Sequence, residues 1–150
     1  MSGRVVTIGE CMVELGPATG GLYRRGFAGD SFNTAWYLRR QLPPDWAVSY
    51  VTCIGTDPLS DEMLAFFAGA GITTDGVRRV GDRTVGLYMI TLNDGERSFT
   101  YWRGQSAARL LAAEGAWLSA QIEGAALVLF TGITVAILPP DDRPAFLEAL

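Results

Sequence analysis

The stretch Ala47-Val48-Ser49-Tyr50-Val51-Thr52-Cys53-Ile54-Gly55-Thr56-Asp57-Pro58 decides the fold, because a β-strand passes directly into the start of a helix. Its first part is rich in β-branched and aromatic residues, which favour a buried strand. Asp57 is a favourable N-cap, and Pro58 suits the first helical position. The apolar spacing then predicts a helix to about Ala70, which Gly71 ends. A strand followed closely by a helix is the repeating unit of α/β folds.

The same alternation occurs on both sides of this stretch. Residues 4–8 form an apolar run that predicts a buried strand, and residues 31–42 have the spacing of an amphipathic helix. Residues 126–131 predict another buried strand that ends in Gly132-Ile133-Thr134, and Pro139-Pro140-Asp141-Asp142 predicts a further helix start. Strands that alternate with helices through short loops favour an α/β architecture, a mainly parallel sheet covered by helices.

A hairpin interrupts this alternation. Two β-rich runs, residues 83–92 and 97–103, flank Asn93-Asp94-Gly95-Glu96, a strong turn signal. Their large aromatic residues must cover something for such a pair to stay folded. A lid over a ligand and a contact with a second subunit fit this pattern equally well, and simple packing of the aromatic face against the core is a further alternative.

Composition narrows the function. The 150 residues are 49% hydrophobic with a net charge of −4, which indicates a globular protein and argues against a nucleic-acid partner. There is neither lysine nor histidine, since all 12 basic residues are arginine. This excludes a Walker A loop, a Schiff base, a Ser-His-Asp triad and a His-ligated metal within this chain.

Targeting signals and cysteine usage indicate the compartment. No apolar run approaches the roughly 20 residues that span a bilayer, and the N-terminus does not resemble a signal peptide. We therefore expect a cytoplasmic protein with no membrane partner. Cys11 and Cys53 lie in no CxxC pattern and are predicted to be buried, reduced thiols.

The run Gly29-Asp30-Ser31-Phe32-Asn33-Thr34 lies where the helix over residues 31–42 should begin, and two interpretations stay open. In the first, Asp30 or Ser31 is an ordinary N-cap. In the second, the glycine lets the backbone approach a small polar ligand, which the free amides of the first turn and the polar side chains of the run then bind.

A second candidate lies just upstream. Residues 10–15 alternate so that Glu10, Met12 and Glu14 can share one side of an extended segment. The two carboxylates would then face one space and form a ligand wall. A half-exposed strand explains the same spacing equally well.

Six segments together resemble one family. They are Gly9-Glu10-Cys11-Met12-Val13-Glu14-Leu15, residues 25–34, residues 51–57, Gly86-Leu87-Tyr88, Tyr101-Trp102-Arg103 and Gly132-Ile133-Thr134. Over essentially the whole chain, the sequence resembles the ribokinase-like, or PfkB, carbohydrate kinases. The resemblance implies that residues 1–150 are the N-terminal part of a kinase domain, with an α/β core and a small β-sheet lid in segments of about 16–28 and 82–104.

Within the family, the motifs resemble most the branch that phosphorylates the sugar acid 2-keto-3-deoxygluconate. This implies transfer of the ATP γ-phosphoryl group to the 6-hydroxyl with Mg²⁺ assisting, a small-molecule sugar-acid partner and a possible homo-oligomer formed through the lid. The positions that match substrate-binding residues are Gly29, Asp30, Asn33, Tyr88, Tyr101, Arg103, Glu14, Ile133 and Thr134. Arg103 would pair with the substrate carboxylate, since a neutral sugar would leave its charge without a partner.

Departures from the family pattern limit what this chain can do alone. Ala28 replaces one of two usual glycines, and Met12 replaces an asparagine, which speaks against ribose as substrate. The family's catalytic Gly-Ala-Gly-Asp motif does not occur here. No catalytic residue is therefore expected in this chain; the catalytic aspartate, with most of the ATP and Mg²⁺ sites, is expected beyond Leu150, and residues 1–150 alone are predicted to be inactive.

The end of the sequence agrees with this expectation. Residues 146–150 stop inside an amphipathic pattern with no glycine or basic residue to end the helix, so the chain is expected to be cut short. Three alternatives remain: another PfkB-type sugar kinase such as a fructokinase, a non-catalytic binding or dimerisation fragment, and a dinucleotide-binding oxidoreductase. The last lacks GxGxxG after the first strand.

Overall fold

A computed structural model of the chain describes residues 2–150. The strands are β1 (Arg4–Ile8), β2 (Met12–Pro17), β3 (Tyr23–Ala28), β4 (Ala47–Ile54), β5 (Val77–Arg79), β6 (Leu87–Asn93), β7 (Glu96–Trp102) and β8 (Leu127–Leu129). The α-helices are α1 (Asp30–Gln41), α2 (Pro58–Gly69), α3 (Gly115–Ile122), α4 (Gly132–Ile137) and α5 (Arg143–Ala149). Short 3-10 helices cover Thr19–Gly21, Ala107–Leu110 and Pro140–Asp142.

The first sheet is parallel, with strand order β5-β4-β1-β8. Strand β1 is central: Val5 lies beside Val48 of β4 on one side and beside Leu127 of β8 on the other. The predicted α/β architecture is therefore confirmed. Strand β4 passes into α2 as predicted, with the Asp57 carboxylate accepting hydrogen bonds from the backbone N–H and the hydroxyl of Ser60.

Hydrophobic side chains fill both faces of this sheet, because successive residues of a strand point to opposite faces. On one face Tyr50 and Ile54 pack in a cluster with aromatic residues of α1 and α2. On the other face Val51 and Cys53 pack with Leu118 of α3 and with residues of α5. Helices thus cover the sheet on both sides, as its largely apolar inner strands β1 and β4 require.

Both cysteines are free and buried, as predicted. Burial raises the pKa of the Cys53 thiol to about 12, and it also raises the pKa of Cys11 well above the ordinary value. Neither thiol therefore forms a reactive thiolate near neutral pH.

The second sheet has strand order β3-β2-β6-β7. Strands β2 and β6 are parallel, and each also pairs with an antiparallel outer strand. The predicted hairpin is confirmed: Asp94 and Gly95 both have positive φ, 51° and 86°, as a two-residue turn of the favoured hand requires. Segments 16–28 and 82–104 contain β3, β6 and β7, whereas β2 begins earlier, at Met12.

Some local predictions were wrong. The strand expected over residues 83–92 begins only at Leu87, and Gly132-Ile133-Thr134 opens helix α4 instead of ending a strand. That helix begins where Thr131 and Thr134 each accept the other's backbone N–H. Helix α3 and strand β5, which were not predicted, are short and are held by packing and by pairing with β4.

No helix within residues 2–150 combines the length and the apolar character that crossing a bilayer requires.

Candidate functional site

A cleft of about 310 Å³ lies between the two sheets. Two of its lining residues, Glu10 and Ile133, follow β1 and β8 in the chain, near the carboxyl ends of these neighbouring parallel strands. From β1 the sheet extends through β4 to β5 on one side, and β8 joins on the other side, so the strand order reverses between β1 and β8. Open α/β sheets bind ligands at such a switch point, and the volume is in the usual range for small-molecule sites.

Seven of the nine predicted substrate-binding residues line this cleft. They are Gly29, Asp30, Asn33, Tyr88, Tyr101, Arg103 and Ile133. Glu10, Met12 and Phe99 line it too and were not among the predicted nine. Glu10 and Met12 belong to the ligand wall that the alternation of residues 10–15 suggested, and they line the cleft, whereas Glu14, the third member of that wall, does not.

Gly29 is the N-cap of α1, and no side chain caps this helix. Of the two interpretations left open by the sequence, the one in which Asp30 or Ser31 is the N-cap is therefore wrong. A Cβ atom at Gly29 would overlap the backbone oxygen of Glu10, so glycine is needed for the close approach of two backbone segments. The glycine thus brings the first turn of α1 against the segment that leaves β1.

The Asp30 carboxylate is held by neighbours on two elements. Its Oδ1 accepts the backbone N–H of Ser31 at 2.7 Å, and its Oδ2 accepts the hydroxyl of Thr131 at 2.6 Å. Thr131 is also the N-cap of α4. The carboxylate is therefore oriented at the cleft by α1 and by the loop after β8.

Glu10 and Arg103 form an ion pair on the cleft wall, in which Nη2 of Arg103 donates to Oε2 of Glu10. The side chain of Glu10 is 2% exposed and that of Arg103 is 21% exposed. The expectation that a neutral sugar would leave Arg103 without a partner was wrong, because Glu10 supplies one. Arg103 still presents part of its side chain to the cleft.

Glu14 and Thr134, the other two predicted residues, do not line the cleft. Glu14 borders a neighbouring depression with Arg24 and Arg97, and its Oε2 accepts the hydroxyl of Tyr88. Burial, followed by this contact with Glu14, raises the pKa of Tyr88 well above its ordinary value, so the phenol stays protonated. Thr134 is buried, and its hydroxyl donates to the backbone oxygen of Ile8 at 3.0 Å.

Three aromatic rings of the second sheet line the cleft. Tyr88 lies with its ring centroid 5.9 Å from both Phe99 and Tyr101, and the rings of Phe99 and Tyr101 are stacked at 6.2 Å. Phe99 and Tyr101 remain about half exposed. Such a wall offers apolar faces to a ligand while the α1 side offers hydrogen-bonding groups.

Comparison with known proteins identifies the family. The model of the pfkB family carbohydrate kinases matches residues 2–150. The chain is 41% identical over 150 residues to 2-dehydro-3-deoxygluconokinase of Dickeya dadantii, covering 97% of this chain and 48% of that protein. It is 39% identical to the protein of the same name from Escherichia coli, covering all of this chain and 50% of that protein. The chain thus spans about half the length of the curated relatives it matches.

Solved structures agree in fold. The 2-dehydro-3-deoxygluconokinase of Thermotoga maritima superposes with a TM-score of 0.80 at 25% identity, over 97% of this chain and 45% of that one. A fructokinase of Xylella fastidiosa with bound ATP superposes with a TM-score of 0.81 at 24% identity, over 97% of this chain and 43% of that one. From the family match and from this α/β core with its second sheet, the chain belongs to the pfkB family of carbohydrate kinases.

Proposed function

We propose that the full-length protein containing this chain transfers the γ-phosphoryl group of ATP to the 6-hydroxyl of 2-keto-3-deoxygluconate, also called 2-dehydro-3-deoxygluconate. This chain supplies the half of the site that binds the sugar acid. The observation that carries the proposal is Arg103: of the residues that line the cleft within residues 2–150, it alone is cationic. Relatives named 2-dehydro-3-deoxygluconokinase, about 40% identical over nearly all of this chain, support the same substrate.

Each side of the cleft has a part in this proposal. Arg103 binds the carboxylate of the substrate through guanidinium N–H groups that Glu10 does not occupy. Asp30 and Asn33, at the start of α1, bind hydroxyl groups, and Tyr88 and Tyr101 cover the carbon chain. Ile133 closes the cleft from α4, while Glu14 and Thr134 act from outside it, Glu14 by holding the hydroxyl of Tyr88.

ATP and Mg²⁺ belong to the proposal as partners of the full-length protein. The residues described here do not fit a metal: within residues 2–150 no group of three or more Asp, Glu, Cys or His side chains is placed to hold one. The sequence also lacks the family's Gly-Ala-Gly-Asp motif. No step of phosphoryl transfer is therefore assigned to these residues.

We also infer a cytoplasmic location.

We infer that the second sheet acts as the lid of the cleft. Its outer strand β7 is exposed at every residue, and Phe99, Tyr101 and Trp102 are among its exposed side chains. An exposed edge strand with large aromatic residues is also suited to pairing with a second copy of the chain. The lid and a dimer contact can therefore be the same element.

A fructokinase-like activity is the second candidate, and the Glu10–Arg103 pair favours it. Because Glu10 neutralises Arg103, a neutral sugar in the cleft leaves no unpaired positive charge. A neutral substrate is therefore compatible with the same geometry.

A substrate panel separates the two candidates. The full-length protein is assayed for ADP release with 2-keto-3-deoxygluconate, fructose and ribose. The proposal expects kcat/KM for the sugar acid to exceed that for each neutral sugar by at least about a hundredfold, the scale of one charge-assisted bidentate contact. Equal or greater activity with fructose would contradict it and favour the second candidate.

A further inference from the structure

Glu10 is a buried carboxylate to which the proposed reaction assigns no role. Its Oε2 accepts Nη2 of Arg103, but its Oε1 is buried without a hydrogen-bond partner among residues 2–150. Nε of Arg103 is likewise buried without a partner in the same part of the chain. Leaving a buried charged group unpartnered is costly, so these two atoms call for an explanation.

The two unpartnered atoms are complementary. Nε and Nη2 lie on the same edge of a guanidinium group, and that edge matches the two oxygens of a carboxylate in a parallel, two-bond pairing. Arg103 and Glu10 already form one of these bonds, between Nη2 and Oε2. The second bond of the same pairing requires Nε of Arg103 as donor and Oε1 of Glu10 as acceptor, and these are the two atoms without a partner.

We propose that Glu10 is a positioning residue, which holds Arg103 by its Nε and Nη2 edge and directs the other edge, with Nη1, into the cleft for the substrate carboxylate. This inference rests on the proposed function. Nε is buried, so the exposed fraction of the Arg103 side chain belongs to its other atoms, and the residue lines the cleft. A carboxylate ligand then meets an arginine whose orientation is set before binding.

The backbone around Glu10 is shaped to admit this pair. Gly29 leaves room for the backbone oxygen of Glu10, as described above. A Cβ at Gly86 would lie 2.7 Å from Oε1 of Glu10 and 3.2 Å from Cβ of Arg103. Glycines from two separate parts of the chain, before α1 and before β6, therefore make space for Glu10, one at its backbone and one at its side chain.

A simple counter-charge would act in the opposite direction from a positioning residue. If Glu10 only neutralises Arg103, removing its charge leaves a stronger cation and tightens the binding of an anion. If Glu10 orients Arg103, removing its charge frees the guanidinium group to turn and weakens binding. The sign of the change in KM therefore separates the two roles.

The experiment compares Glu10→Gln with wild type in the full-length protein, with Glu62→Gln as the matched control. Glu62 also pairs with an arginine, Arg25, but on the surface and away from the cleft lining. We expect Glu10→Gln to raise KM for 2-keto-3-deoxygluconate about tenfold, the scale of one charge-assisted hydrogen bond, with KM for ATP unchanged. An unchanged or lower KM for the sugar acid would overturn the proposal.

Two further variants keep the test decisive if Glu10→Gln unfolds. Glu10→Asp keeps the charge, but its side chain is one methylene shorter. If Glu10 positions Arg103, this variant should have a raised KM for the sugar acid. If Glu10 is only a counter-charge, its KM should be unchanged. An Arg103→Lys protein has no Nε–Nη2 edge for Glu10 to hold, so adding Glu10→Asp to it should raise KM little further. If the two changes raised KM by the full product of their separate effects, positioning through Arg103 would be contradicted. Absence of sugar-acid turnover in wild type would instead refute the proposed function, before any variant is compared.

Discussion

The hydroxyl of Thr131 donates to the Asp30 carboxylate at 2.6 Å, and this bond joins the start of α1 to the N-cap of α4 beside the cleft. Thr131→Val keeps the shape of the side chain but removes both the bond to Asp30 and the cap. We expect the free energy of unfolding to fall by about 1–2 kcal/mol and KM for the sugar acid to rise several-fold. Urea denaturation and steady-state kinetics of the full-length protein measure the two effects.

The control for this change is Thr100→Val. Thr100 is exposed in β7, where a β-branched residue is favourable, so neither stability nor KM should change appreciably. Equal behaviour of the two variants would show that the bond between Thr131 and Asp30 contributes nothing.

Gly29→Ala tests the close approach between α1 and the segment after β1. The added Cβ would overlap the backbone oxygen of Glu10, which can move only if the segment joining β1 to β2 moves. We expect a loss of about 1–3 kcal/mol in the free energy of unfolding and a higher KM for the sugar acid. Gly26→Ala is the matched control, since a Cβ there meets no atom within 4 Å. The same loss in both variants would mean that the contact with Glu10 is not the cause.

The N-cap of α2 predicts a pH dependence of stability. Burial alone would raise the pKa of Asp57, but hydrogen bonds from Thr84 and Ser60 outweigh it and lower the pKa below its ordinary value of 3.8. Asp57 therefore stabilises the fold above its unfolded-state pKa, and this stabilisation is lost as the pH falls through the folded-state pKa. Below about pH 5, unfolding free energy should thus fall more steeply in wild type than in Asp57→Asn, which keeps the cap without the charge.

Urea denaturation at a series of pH values measures this difference. At pH 7, the free energy of unfolding should be lower by about 1 kcal/mol in Asp57→Ala than in wild type, and by much less in Asp57→Asn. Parallel pH profiles of wild type and Asp57→Asn would contradict the assignment.

Residues 1–150 produced alone should show no kinase activity. Phosphoryl transfer depends on positioning and on stabilising charge at the transferred group, and this sequence lacks the motif that does so in the family. A coupled ATP assay with 2-keto-3-deoxygluconate checks the expectation, with the full-length protein as positive control. Turnover by the segment would show that the catalytic groups lie within it.

The elements that could be predicted from sequence are those with local signals. Asp57, Pro58 and Gly71 mark the two ends of α2, and Asp94 with Gly95 marks the hairpin turn. The start of α4 could not be predicted in this way, because an apolar run before a glycine fits a strand end as well as a helix start. Thr131 and Thr134 select the helix by bonding to each other's backbone.

The residues of the candidate site also divide into those that a local sequence motif predicts and those that it does not. Gly29, Asp30 and Asn33 lie in one run, so a motif identifies them together. The ion pair between Glu10 and Arg103 joins residues 93 positions apart, and no local pattern specifies it. The burial of its two unpartnered atoms depends on how distant parts of the chain pack together, which no short stretch of sequence specifies.

The central position of β1 also sets an order of assembly during synthesis. Val48 of β4, which lies beside Val5, belongs to the first third of the chain and is synthesised early. Leu127 of β8, which lies beside Val5 on the other side, is synthesised much later. Long-range pairings of this kind form slowly, because a long loop must close before the contact is gained. One edge of β1 therefore stays open on the nascent chain, and the cleft beside it is among the last features of this segment to form.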